Sequence, residues 1–407
     1  MISPRPSSIR ILHVITSLGR GGAERQLVSL VSNTKRSGYE HVVCYLRAPD
    51  DFAEEIRQSG PTVIGLDVAE GKGQWFSAAR KLTRVIKAER PDIVQTWLYD
   101  ADISTRLARL VTKRFPIITS LQSPVYEPAT IQAGNLSPVK VGGLRWLDQL
   151  SAKWSNAFFV ACSQFVAQSA KKRLGIPASK IKVIYNSVDP NTLRCEPDEP
   201  QRLRQSLEIP EGGFVYISVG RLDPPKGHAH LLRAFQRVAA SQPRAYLALV
   251  GDGPSASDLR ELANELGIQS QVRFLGRRKD IGACLEMADV FVFPSLFEGL
   301  PLALVEAMFK KLPCIVSRID MLLEVVTDEE TGLLVAPGSV DELATAMTRL
   351  YAAPGRRKVL GLNGYQVAVE RFNQQTTIPQ WEALYDSFAR KAAHDRKVTP
   401  AFHHLLM

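Results

Sequence analysis

The order strand, glycine loop, helix appears at the start of the chain and begins again near its middle. Ile9–Thr16 is short, apolar and β-branched, the pattern of a buried strand. Gly19–Gly22 follows, and Glu24–Ser32 then sets Leu27, Leu30 and Val31 at helical spacing. The same reading continues with strands at His41–Leu46, Thr62–Leu66 and Asp92–Thr96, and helices at Asp51–Ser59 and Gln74–Glu89. Phe158–Ala161 and Lys182–Tyr185 close this half. A second series opens at Phe214–Val219, with a helix near Leu231–Ala240 and strands at Ala245–Val250, Val272–Leu275, Val290–Phe293, Cys314–Ser317 and Leu333–Val335. Alternation of this kind predicts an α/β chain with two parallel sheets covered by helices. The Pro- and acid-rich stretch 187–212 reads as a linker with a short helix, and Val125–Gly143, which has no clear period, as a long loop.

A chain of 407 residues is long enough for two such cores. Its charge is unevenly spread. Residues 1–190 hold 26 basic and 15 acidic side chains, and residues 191–407 hold 25 and 26, so all of the net +10 lies in the first half. That points to an anionic ligand or surface. Five scattered cysteines, none in C-x-x-C, favour a reducing compartment over a disulfide frame or zinc ribbon. No apolar run approaches the roughly 18 residues of a membrane span, and the start does not read as a signal peptide. A cytoplasmic protein is expected.

Three motifs carry chemistry. In FEGLPLALVEA, Glu298 and Glu306 are separated by seven residues, and Gly299, Leu300, Pro301 and Leu302 lie where a helix begins. Amides at a helix start attract an anion, and a carboxylate two turns on can accept hydrogen bonds from a diol. The plain alternative is a helix with two solvated glutamates. In VGRLDPPKG, Arg221 and Lys226 directly follow a strand, as cations suited to a diphosphate or as two ordinary surface charges. In LGRGGAER, Gly21 and Gly22 permit close backbone approach, although Glu24 breaks the dinucleotide pattern and no G-K-[ST] follows.

With VGDGP and VIYNSVD, these motifs in this order resemble the group-4 glycosyltransferases of the GT-B fold, from about Ile9 to about Tyr385. The resemblance implies two Rossmann-like domains facing each other across a cleft: an N-terminal acceptor domain over 1–190 and a nucleotide-sugar domain over 191–376. A helix at about 377–393, with Trp381 and Tyr385, would return to the first domain, and 394–407 would be a tail. It also implies a retaining, metal-independent sugar transfer, with a UDP- or GDP-linked sugar as co-substrate and no other cofactor. Arg221 and Lys226 would bind the diphosphate, Glu306 the ribose and Glu298 the transferred sugar, with amides of Gly299–Leu302 assisting. Arg221, Lys226 and Glu298 would form the catalytic set. Gly21 and Gly22 would approach the donor phosphates, residues near Arg273–Arg277 the base, and Ser163 and Asn186 the interdomain face. The acceptor would be lipid-linked or a polysaccharide. Many relatives carry a histidine where this chain has ITSLQSP, which puts Gln122 near that position on the sugar side. A homologue that binds but does not turn over is the alternative there. A GT-B epimerase or phosphorylase is another, disfavoured by the lack of an acid–histidine cluster or a pyridoxal-phosphate lysine context.

Two weaker signals remain. Asp100-Ala-Asp102 is a D-x-D, read either as a metal site or as acids at a helix start. Lys113, Arg114, Lys140, Arg145, Lys153, Lys171, Lys172 and Arg173 are basic, and Trp146, Leu147, Leu150 and Trp154 recur at helical spacing among them. The two readings are a helix lying on an anionic membrane at the inner face of the plasma membrane, and a solvated face over a buried apolar stripe. No nucleic-acid-binding module is present.

Overall fold

A computed structural model describes residues 8–34, 38–112, 115–128, 131 and 137–398. Lys113, Arg114, the tail histidines His403 and His404, and residues 129–130 and 132–136 of the Val125–Gly143 stretch lie outside the described residues. The chain divides into two compact units. The first takes Met1–Glu127, Ser137–Asn186 and Gln375–Met407, and the second is built on Ser187–Gln374.

In the first unit the strands are β1 (Ile9–Ile15), β2 (Tyr39–Tyr45), β3 (Thr62–Gly65), β4 (Ile93–Trp97), β5 (Ile117–Leu121), β6 (Phe158–Ala161) and β7 (Ile181–Val183). Helices α1 (Gly22–Thr34), α2 (Ala53–Ser59), α3 (Gln74–Glu89), α4 (Tyr99–Ala108), α5 (Pro138–Ser155) and α6 (Gln164–Leu174) connect them. The sheet is parallel, in the order β3-β2-β1-β4-β5-β6-β7. In the second unit the strands are β8 (Phe214–Val219), β9 (Ala245–Val250), β10 (Val272–Gly276), β11 (Val290–Phe293), β12 (Cys314–Ser317) and β13 (Leu333–Val335), in the order β10-β9-β8-β11-β12-β13. Its helices are α7 (Glu199–Ser206), α8 (His228–Ser241), α9 (Ala256–Glu265), α10 (Ile281–Glu286), α11 (Leu302–Phe309), α12 (Asp320–Leu323), α13 (Val340–Ala352) and α14 (Pro354–Arg371). The last helix, α15 (Gln374–Val398), buries Trp381, Leu384, Tyr385 and Ala389 in the first unit's core. Tyr385 donates to Gln95 of β4 there.

Two expectations change. The long loop ends at Ser137, because α5 already runs from Pro138, which occupies its first turn. The apolar stripe of that helix is not its buried face. α5 buries Val141, Asp148, Ser151, Ala152 and Ser155, while Trp146, Leu150 and Trp154 face outward.

The first unit's core also holds a histidine pair. His13 Nε2 lies 2.9 Å from His41 Nδ1, and Thr34 Oγ1 lies 2.7 Å from His41 Nε2. Burial pushes His41 down to about 4 and His13 well below its ordinary value, with the neighbouring His41 adding to the latter. His228 of the second unit is also pushed down to about 4, by burial and by Lys226. These groups take up protons on unfolding below about pH 6.5, so their contribution to stability is present above that pH and lost toward pH 4. Asp102 acts in the opposite sense: burial raises it to about 7, so it releases a proton on unfolding in the same window. Glu24, also raised by burial, acts in the same sense as Asp102. The three histidines outnumber these two acids, so unfolding takes up protons on balance and stability falls more steeply as the pH drops from 7 toward 5. Denaturant titrations over that range should show the fall, and a flat profile would contradict the neutral histidines.

Candidate functional site

In the second sheet the crossovers on either side of β8 and β11 run in opposite directions, which opens a crevice outside the carboxyl ends of those two strands. The loops leaving them are Gly220–Gly227 and Pro294–Pro301. The strand ends at Phe293, so a loop of eight residues separates it from α11. Backbone bonds lace the loops of this edge together. Gly220 N–H donates to Val250 O at 2.9 Å, Leu222 N–H to Asp252 O at 3.0 Å and Leu296 N–H to Pro225 O at 2.7 Å. Glycine makes the approach feasible. A Cβ on Gly227 (φ +71°) would lie 2.2 Å from Pro294 O, and one on Gly251 (φ +140°) 1.8 Å from Gly220 O.

Within this frame two of the residues singled out by sequence meet directly. Lys226 Nζ lies 2.5 Å from Glu298 Oε1, and the ammonium sits 5.7 Å from the centre of the Phe293 ring. Glu298 is 7% exposed, so its charge needs this partner. An ammonium has three donors, and one carboxylate oxygen leaves others for a second anion. Arg221 is largely exposed, with Asp223 Oδ2 3.6 Å from its Nε. Leu300 and Pro301 are buried, Gly299 is half-buried, and Pro301 provides α11 with no side-chain cap. The first-turn amides, including that of Leu302, therefore depend on another acceptor. Glu306 is half-buried on α11.

Sequence reasoning passed over Ser295 and weighed His228 only as a metal ligand, with His230, and rejected it; the Ser295 Oγ and His228 Nδ1 are buried without a hydrogen-bond partner at the same edge. The signal for Ser295 was its place just past a strand end. Arg273 lies on β10, where its guanidinium donates to Leu207 O at 2.5 Å and Ser270 O at 2.7 Å and covers the Tyr246 ring. It pins the sheet, whereas Arg277 follows the strand and pairs with Asp252 at 3.3 Å.

The first sheet has its own crevice at the carboxyl ends of β1 and β4. Gly19–Gly22 leaves β1 here. A Cβ on Gly21 would lie 2.3 Å from Glu24 Oε2, whereas Gly22, at the start of α1, has open space beside it. Glu24 is buried, which raises its pKa. Leu98, between β4 and α4, is held at φ +71° and ψ +154°, a conformation that costs a leucine about 1–3 kcal/mol. Gln122 follows β5, and its Oε1 accepts from Asn186 Nδ2 at 3.0 Å. It lines a cavity of about 80 Å³ with Leu98, Tyr99, Asp102, Tyr126 and Asp148. Ser163 is consumed as the cap of α6, accepting from Val166 N–H at 3.1 Å.

The two acids of the D-x-D do not act together. Asp100 accepts from Arg47 at 2.5 Å and from Trp75 Nε1 at 2.8 Å, while Asp102 is buried in the cavity wall with its pKa near 7. Among the described residues no group of three His, Cys, Asp or Glu is arranged to hold a metal ion.

Comparison with known proteins gives the family. The glycosyl transferases group 1 family matches residues 200–367, and glycosyltransferase family 4 matches residues 20–192. The MMP alpha-(1->4)-mannosyltransferase of Mycolicibacterium hassiacum is 31% identical over 366 residues, covering 85% of each chain. The chain belongs to the group 1 glycosyltransferases. An Escherichia coli relative, UDP-Gal:alpha-D-GlcNAc-diphosphoundecaprenol alpha-1,3-galactosyltransferase, is 28% identical over 84% of this chain and 88% of its own. Among solved structures, Anabaena HepE in complex with UDP and glucose superposes with a TM-score of 0.82 at 24% identity, over 93% of this chain and all of that one. The fold is thus GT-B, as the sequence motifs implied, and this glycosyltransferase carries its two Rossmann-like sheets in separate units.

Proposed function

We propose that the protein transfers a sugar, with retention of configuration and without a metal, from a UDP- or GDP-linked donor to a lipid-linked or polysaccharide acceptor in glycan biosynthesis. The Lys226–Glu298 pair at the β8/β11 crevice carries the proposal. Lys226 and Arg221 hold the diphosphate and stabilise the charge that grows on it as the C1–O bond breaks. The uncapped start of α11, at Gly299–Leu302, adds amide donors to the same anion. Glu306 accepts the ribose hydroxyls, and Glu298 keeps Lys226 in place while its second oxygen reaches the sugar. Gly21 and Gly22 let backbone approach the phosphates, and Gln122 bonds the sugar or acceptor. The acceptor hydroxyl attacks C1 on the face the diphosphate leaves, and the departing phosphate oxygen takes its proton. The relatives support the substrate class: one is named for UDP-Gal and a diphosphoundecaprenol acceptor, and a structural neighbour holds UDP. The five cysteines form no disulfide, in keeping with work in the cytoplasm, and no described helix is long and apolar enough to cross a membrane.

A thermal-shift series with UDP, GDP and ADP, with and without EDTA, tests the donor site. Ligand at about 100 times Kd should add about 2.7 kcal/mol of stability. A shift for UDP or GDP that EDTA leaves unchanged is expected. No shift with any of them, or one abolished by EDTA, would refute the site.

A further inference from the structure

The cavity of about 80 Å³ beside Gln122 lies at the carboxyl ends of β4 and β5, with α6 along it. One water needs roughly 10–15 Å³, so the space takes a group of several heavy atoms. Its wall is mixed in character. Leu98, Leu121, Val166, Ala170 and Leu174 give it a large apolar area. Asp102 lines it too, and the Oδ1 of this buried residue has no hydrogen-bond partner. A buried acceptor left unmatched is costly, and it points to a donor that the chain does not itself supply.

The rest of the wall is fixed in advance. Asp148 accepts from Arg106 at 2.5 Å and from Tyr126 at 2.8 Å, so its charge is matched within the protein. Gln122 is half-buried at the rim, and its Oε1 is taken by Asn186, which leaves Nε2 as a donor. Leu98 holds its strained backbone here, and strain of that kind gathers at ligand sites.

These groups define what fits. A ligand has to bring a donor for Asp102, an acceptor for Gln122 and an apolar end for the leucines. A phosphate or carboxylate would meet two acids, and an ammonium would set a charge against the apolar wall. An acetamido group carries an N–H, a carbonyl and a methyl on four heavy atoms. Burial raises Asp102 to about 7, so a neutral N–H suits it better than a buried cation would.

We propose that this cavity is a subsite for an acetamido sugar of the acceptor, with Asp102 accepting the amide N–H, Gln122 donating to the carbonyl and the methyl packing against Ala170 and Leu174. The proposal rests on the reading of the chain as a sugar transferase and makes Asp102 a residue that selects the acceptor.

The test is saturation-transfer NMR on the full-length protein. The probes are the methyl glycosides of N-acetylglucosamine and N-acetylgalactosamine, with those of glucose and galactose for comparison. The strongest signal should fall on the acetyl methyl, and the acetamido glycosides should bind at least about tenfold more tightly than the hydroxyl ones. Ala170→Leu, which fills the cavity, and Asp102→Leu, which removes the acceptor, should each weaken that binding at least about tenfold. Circular dichroism should be unchanged in Asp102→Leu, because the variant removes an unmatched buried acceptor and Asp148 still pairs with Arg106. Ala170→Leu leaves every polar group of the wall in place and gives a second, independent reading. No acetyl signal with wild type would mean that the cavity holds water alone and would overturn the proposal. Equal binding of acetamido and hydroxyl glycosides, or binding indifferent to both variants, would do the same. Excess UDP-glucose or GDP-mannose should leave the signal in place, and displacement by either would move the subsite to the donor sugar and overturn the acceptor assignment. The test needs no turnover, so its failure is distinct from failure of the transfer reaction, which the nucleotide thermal shifts report.

Discussion

Replacing Lys226 with glutamine is expected to lower kcat/KM for sugar transfer by about 100-fold, or about 2.7 kcal/mol of transition-state stabilisation. The ammonium lies 2.5 Å from Glu298 at the mouth of the β8/β11 crevice, where negative charge on a departing diphosphate would gather. Glutamine keeps a donor for the buried Glu298 carboxylate, so the loop is retained while the charge is lost. Lys226→Arg restores the charge and should recover most of the activity. Steady-state kinetics with circular dichroism as a folding control separate the cases. Activity within threefold of wild type in Lys226→Gln would remove this residue from the mechanism, as would equal losses in both variants.

Arg106→Met should destabilise the first unit by about 3–5 kcal/mol, the usual effect of leaving one partner of a buried pair alone. The guanidinium is fully buried over the Phe159 ring, 2.5 Å from Asp148 Oδ1 and 3.0 Å from Ser151 Oγ. The other Asp148 oxygen accepts from Tyr126 at 2.8 Å. Removing the cation strands that carboxylate in the wall of the Gln122 cavity. The double variant R106M/D148L removes the stranded charge and should regain at least half of the loss. Urea unfolding of the three proteins decides it, and additive losses would show that the pair does not couple α4 to α5.

The elements that sequence reveals best here are those whose side chains all go one way. Phe214–Val219 and Ala245–Val250 are apolar but for Ser218 because both sheet faces are covered, and their bounds coincide with the strands found. Ile117–Leu121 is not among the strands expected from sequence, since five residues after a proline make a weak signal. In α5 periodicity identified the stripe but not its side, because the inward face is made of Val141, Ala152, two serines and an acid whose partner lies 42 residues away. For the same reason Lys226 and Glu298 could be proposed singly but not as a pair, being 72 residues apart. Arg273 looked equivalent to Arg277 four residues on, yet only the latter passes the end of β10.

The most direct test of the whole account is a transfer assay in excess EDTA with UDP- and GDP-linked sugars and lipid-linked or oligosaccharide acceptors, following nucleotide release and the anomeric proton of the product by NMR. The account predicts release of one nucleoside diphosphate, matched by a product whose new bond keeps the donor's anomeric configuration. An inverted product, or turnover that returns only when a divalent cation is added, would contradict it.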